Sequence, residues 1–161
     1  MTKLTYGVPA MKELSSRTGL EFLQAIRDGE LPQAPIAEVL GFSLTEVDDG
    51  RAVFLGAPSL SFYNPIGGVH GGWYGTLLDS CMACAVQSTL ARGAGYTTAE
   101  FSVNLVRPIT VETGTVVAEG RVLHAGRRVA TADGRLTDAN GKLLAHGTTT
   151  CMIVALPTAG G

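Results

Sequence analysis

Asn64-Pro65-Ile66-Gly67-Gly68-Val69-His70-Gly71-Gly72-Trp73-Tyr74-Gly75-Thr76-Leu77-Leu78-Asp79-Ser80-Cys81-Met82-Ala83-Cys84-Ala85-Val86-Gln87-Ser88-Thr89-Leu90-Ala91-Arg92 is the stretch that decides the fold. A glycine-rich turn runs into a helix-compatible apolar segment that spans about residues 70–92. A helix that is apolar on all sides belongs inside a protein. Between His70 and Arg92 the one side chain expected to carry charge is Asp79. Its helical neighbours Gly72, Gly75, Thr76, Ala83 and Val86 are small or apolar and supply no cation. An unpaired carboxylate is costly to bury, and such groups concentrate where function needs them. The structural alternative is a carboxylate held by backbone N–H groups.

Working outward, the chain before this helix opens with residues 1–17, which show no periodicity and read as a tail. Thr18 and Glu21 have capping-box spacing, followed by Leu20, Leu23 and Ile26 at helical intervals. After the interruption Pro32 to Pro35, a helical turn over residues 36–40 ends at Gly41. Residues 42–47 and 51–57 read as strands about Asp48-Asp49-Gly50, a hairpin signal. Beyond the central helix the period changes to two. Ala99, Phe101, Val103 and Leu105 alternate with Glu100, Ser102 and Asn104 up to Pro108. A long pair, 115–124 and 127–137, turns at Ala125-Gly126, and 142–154 follows Asn140-Gly141. Residues 156–161 read as a second tail. One buried helix and an antiparallel sheet imply an α+β domain, over residues 18–155, in which the sheet wraps the helix.

Composition narrows the function classes. The 161 residues carry a net charge of −2, which gives no electrostatic case for nucleic acid. No apolar run reaches the roughly 20 residues of a membrane span, and the start lacks a secretory pattern. Three cysteines do not close a disulfide framework and fit the reducing cytoplasm. Cys81 and Cys84 form a C-x-x-C with no second ligand pair, so packing explains them better than zinc or redox chemistry.

The remaining polar residues each admit two readings. Gly71 and Gly72 stand where the first helical N–H groups lack intrahelical partners, so a substrate carbonyl could approach them as in an oxyanion hole. Paired glycines also serve simple turns. Asp79 lies eight residues beyond Gly71, about 12 Å along a helix, too far for both to touch one carbonyl. If both act, the helix start of one subunit must face Asp79 of a second, as a two-fold dimer permits. His70 caps the helix or orients a carbonyl. Asn64 is a turn residue or a water-orienting amide. Thr97 and Thr98 open a strand. Arg127 and Arg128 flank a hairpin and either bind phosphate or are solvated.

Asn64-Pro65, His70-Gly71-Gly72, Asp79 nine residues after the histidine, Tyr96-Thr97-Thr98 and Asn104-Leu105-Val106-Arg107-Pro108 together resemble the hotdog-fold thioesterases of the phenylacetate-degradation type. The resemblance extends over roughly residues 18–155. It implies a curved sheet around one helix, paired into homodimers and then into tetramers, and hydrolysis of acyl-CoA thioesters. The family's carboxylate falls on Asp79, as general base or nucleophile. Its oxyanion donor falls on the Gly71 N–H of the opposite subunit, its asparagine on Asn64 and its motif histidine on His70. A water-positioning hydroxyl falls on Thr98, with Thr97 possible. Gly72, Thr97, Arg127 and Arg128 are expected at the substrate. No metal or cofactor is implied, since coenzyme A is part of the substrate. An enoyl-thioester hydratase or dehydratase on the same scaffold, and a non-catalytic acyl-CoA binder, are the alternatives.

Overall fold

The computed structural model describes residues 4–157. Helices α1 (Met11–Ser15), α2 (Gly19–Arg27) and α3 (Pro35–Leu40) precede strands β1 (Phe42–Asp48) and β2 (Arg51–Gly56). Helix α4 (Gly71–Ser88) follows, then β3 (Ala94–Leu105), β4 (Val116–Ala125), β5 (Val129–Asp138) and β6 (Leu143–Ala155). The six strands form one antiparallel sheet in the order β1-β2-β4-β5-β6-β3, and it curves around α4. No described helix is long and apolar enough to cross a membrane.

Helix α4 fills the concave face with Leu77, Leu78, Cys81, Met82, Ala85 and Val86, all excluded from solvent. Glycines on three strands let it approach the sheet. A Cβ on Gly120 would stand 2.3 Å from the Cys81 carbonyl oxygen, and one on Gly134 would stand 2.7 Å from Met82 Cγ. A Cβ on Gly56 of β2 would stand 2.8 Å from Leu77 Cδ2, and Gly120 pairs with Gly134, so three neighbouring strands meet the helix through glycine. Side chains at Gly56, Gly120 and Gly134 would push the helix off the sheet.

Several boundaries differ from the sequence reading. Helix α4 ends at Ser88 rather than near 92, because the Ser88 and Thr89 hydroxyls bond back to the carbonyls of Ala85 and Val86. Gly93 then takes a φ of +77°, which turns the chain into β3. The opening stretch is tied down as well: it contains α1, and Tyr6 makes a parallel bridge to Gln33. Residues 1–3 and 158–161 of the expected tails lie outside the described residues. The capping box at Thr18 and Glu21 forms as the spacing predicts. Gly19 packs directly on the end of α4, its N–H donating to the Leu90 carbonyl at 2.9 Å.

The largest local departure is in β3. Thr98 pairs with Cys151 and Glu100 with Thr150, so Ala99 is an extra residue, a β-bulge. It reverses the alternation. Phe101, Val103 and Leu105 face the helix as the pattern predicts, but Ala99 does not; Thr98 and Tyr96 take the inward side instead, opposite the inward residues Cys151 and Ile153.

Candidate functional site

The bulge aims Thr98 at α4, and its hydroxyl donates to Asp79 Oδ1 at 3.0 Å. Thr97 falls on the outer face and is exposed, so of the two threonines Thr98 is the one that touches the carboxylate. Asp79 is half-buried, and no cation lies within ion-pairing distance of it among the described residues. Burial pushes its carboxyl above the usual range, and the Thr98 hydrogen bond partly offsets this by favouring the charged form. The same desolvated surroundings, with the negative charge of Asp79 as a second cause, push the Cys84 thiol up to about 12. A thiol held that high is not a nucleophile. The thiol of Cys81 is buried and directed at the Leu78 carbonyl, so both cysteines of the C-x-x-C are packing residues.

Asp79 and Ser80 form part of the wall of a cavity of about 190 Å³. Its other walls are mostly apolar: Leu23 and Ile26 of α2, Phe42, Leu44 and Phe54 of the sheet, and Tyr96. A carboxylate thus faces a greasy chamber beneath α2 and α3. The aromatic residues beside the glycine turn do not line it. Trp73 donates from Nε1 to the Leu40 carbonyl and stacks on Phe62. Tyr74 Oη donates to the Arg107 carbonyl and accepts from Ile109 N–H, while Tyr63 Oη accepts from Val111 N–H. All four brace the loop that precedes α4.

That bracing fixes the helix start. His70 is the N-cap, its Nδ1 accepting from Gly72 N–H at 2.9 Å. Gly72 N–H is thereby occupied, whereas Gly71 N–H has no partner among the described residues. Of the two glycines, Gly71 alone keeps a free donor at the positive end of α4. Asn64 Oδ1 accepts from Ile66 and Gly68 N–H at 3.1 and 3.3 Å, so the amide oxygen shapes the turn.

Within one protomer these groups are not together. Gly71 and Asp79 sit on one unbroken helix, eight residues apart. Along that helix the two are separated by about 12 Å. Arg127 and Arg128 are exposed on the turn between β4 and β5. Ile153 N–H bonds the Arg128 carbonyl at 2.9 Å, and Ile153 pairs with Tyr96. The two arginines therefore occupy the sheet end that carries Tyr96 and Thr98, about two strand spacings away, or roughly 10 Å.

Two features escaped the sequence. The bulge has no composition signal, although Ala99 is a small residue amid larger ones. The chamber needs α2 laid across α4, a contact visible only as Gly19, where a side chain would collide with the Gln87 carbonyl.

Residues 66–145 match the family model of the thioesterase superfamily. Among solved structures, the chain is similar to a phenylacetic acid degradation-related protein of Ralstonia eutropha JMP134, at 32% identity and a TM-score of 0.73 over 81% of this chain and 98% of that one. It is also similar to the PaaI protein from the phenylacetic acid degradation operon of E. coli, at 22% identity and a TM-score of 0.73, over 88% of this chain and 96% of that one. A thioesterase protein of Streptococcus pneumoniae solved with coenzyme A is 23% identical, with a TM-score of 0.65 over 73% of this chain and 89% of that one. No curated protein matches.

Proposed function

The chain belongs to the hotdog-fold thioesterases of the phenylacetate-degradation type and is a thioester hydrolase, and from that premise we propose that it hydrolyses acyl-CoA with Asp79 as general base. The observation that carries this reading is Asp79 itself: half-buried, without a cation, and bonded to Thr98 at the wall of an apolar chamber. A carboxylate whose proton affinity is raised is a better base near neutral pH than one in water.

In the proposed step the acyl group enters the chamber and the thioester carbonyl lies against Gly71 N–H of a second subunit. Asp79 Oδ2, the oxygen that Thr98 leaves free, takes a proton as water attacks the carbonyl carbon. The new oxyanion is held by the Gly71 N–H and the dipole of α4. Collapse breaks the carbon–sulfur bond, and the protonated Asp79 returns its proton to the departing thiolate. The products are the free acid and coenzyme A. Single turnover in labelled water separates this from attack by Asp79 itself: direct attack puts the label in the free acid, whereas an acyl–Asp79 anhydride opened by water at the aspartyl carbonyl leaves it in the Asp79 carboxyl group.

The second subunit is expected along β3. This strand is one edge of the sheet, and on or next to it Phe101, Leu105 and Val106 are 44%, 52% and 44% exposed. A long apolar edge is a template for pairing. On the helix side, Leu105 packs on Gly71, Phe101 on Gly75, and Thr98 on Asp79. To bring Asp79 to the Gly71 of a twin, Thr98 must lie opposite the twin's Leu105. With the bulge at Ala99 counted, that centres the two-fold on Ser102. Arg127 and Arg128 are proposed to meet the phosphates of coenzyme A, the ligand present with the pneumococcal protein.

The hydratase reading needs a histidine and an acid at one reacting centre. Here His70 Nδ1 is spent on Gly72 N–H as the cap of α4, so that nitrogen is not free to act as a base. Thiol release from short, long and aryl acyl-CoAs tests the proposal. Asp79→Asn is expected to lose about 10²–10⁴ of turnover, as for removal of a general base. Undiminished hydrolysis by that variant, or binding by the wild type without any thiol release, would overturn it.

A further inference from the structure

A second cavity, of about 480 Å³ and open to solvent, lies beside the chamber that holds Asp79. The two share Leu23, Ile26, Ala34, Cys84 and Tyr96 as walls, and the outer one continues past Gly95 to Leu14, Phe22 and Leu156. Four of the shared residues are aliphatic or small. Tyr96 is the one bulky plate among them, delivered inward by the bulge at Ala99.

Its hydroxyl is also unlike those of Tyr63 and Tyr74. Each of those is fixed by backbone N–H or carbonyl groups, whereas Tyr96 Oη has no partner among the described residues. Every fully buried side-chain nitrogen or oxygen in the described residues is hydrogen-bonded, so this unpaired oxygen borders open space. The ring is thus held by packing alone, between two spaces.

We propose that Tyr96 is the specificity-determining residue of the acyl site, a partition that stops the acyl group at the end of the inner chamber and keeps it out of the outer cavity. This rests on the assignment of the inner chamber as the acyl site. The chamber is near the roughly 150 Å³ that holds a benzene ring, so the wild type accepts a short or compact acyl group. With Tyr96 trimmed, the two cavities join into an apolar tunnel that leads from Asp79 towards Leu156. Each additional buried methylene is worth roughly fourfold in affinity.

The test compares butanoyl-CoA with dodecanoyl-CoA for wild type, Tyr96→Ala, Tyr96→Leu and Tyr96→Phe, by thiol release and by direct binding to the corresponding Asp79→Asn proteins. The wild type is expected to favour the short chain. Tyr96→Ala is expected to raise the preference for the long chain at least about tenfold, Tyr96→Leu by less, and Tyr96→Phe not at all, since its ring keeps the partition. Thermal unfolding identifies a variant that fails to fold, and Tyr96→Leu then carries the comparison. An unchanged chain-length ratio in folded Tyr96→Ala or Tyr96→Leu, or a wild type already indifferent to length, would overturn the inference. Absence of thiol release from every acyl-CoA would count against hydrolysis of acyl-CoA, while the binding ratios would still decide the role of Tyr96.

Discussion

Asp79 is held at a cost to the folded state, and that cost has a measurable sign. Its folded carboxyl binds a proton more tightly than the unfolded one, because burial outweighs the Thr98 hydrogen bond. Below the ordinary carboxylate range both states are protonated and no penalty exists. The penalty develops as pH rises through the unfolded value and is complete above the folded value. Asp79→Asn is therefore expected to melt higher than wild type at pH 7, with the gap closing as the pH falls below 4; equal melting temperatures at both would show that the carboxylate is not desolvated. Thr98 acts in the opposite direction. Since its hydroxyl favours the charged form, Thr98→Val is expected to move the acid limb of the kcat/KM profile to higher pH, while Thr98→Ser leaves it in place. An unmoved limb in Thr98→Val would remove Thr98 from the site.

At the scale of elements, the start of α4 and the edge strand β3 divide the work. Proline is tolerated at the first position of a helix, and His70 already has the φ of −62° and ψ of 138° that a following proline requires. Gly71→Pro therefore deletes one N–H with little change to the helix, and it is expected to lose about 10²–10³ in turnover. Gly71→Ala is the control, since it keeps the N–H but brings a Cβ within 3.1 Å of Leu105 Cδ1. Equal losses in the two would assign the effect to crowding. The pairing register of β3 is tested by Ser102→Cys. A residue on the two-fold axis of an antiparallel pair faces its copy within disulfide range, so the oxidised protein should run as a covalent dimer. A dimer that stays uncrosslinked would refute the register. These elements were legible in the sequence to different degrees. The 3.6-residue and two-residue periods locate α4 and the strands, because burial enforces them. The bulge at Ala99 was not legible, since one inserted residue leaves composition unchanged yet moves Thr98 from the outer face to the inner. Gly72 likewise looked equivalent to Gly71 until the His70 ring was seen to occupy its N–H.

For the molecule as a whole, a sheet curved around a single apolar helix produces a chamber, and the site proposed for it is completed by a second subunit. Asp79 and Thr98 stand at one point along α4, and the free Gly71 N–H stands about 12 Å away. The motif residues were readable one by one, whereas the proposed meeting of Asp79 with Gly71 calls for a second chain, which no single sequence displays. The most direct measurement mixes two disabled proteins, Asp79→Ala and Gly71→Pro, unfolds them together and refolds them. Random pairing gives mixed dimers as half of the population, each with one site that unites an intact Asp79 with an intact Gly71, so about a quarter of wild-type turnover should return. If the mixture stays as inactive as its parents, although mixed dimers have formed, the two groups do not meet across a subunit interface and the account is wrong.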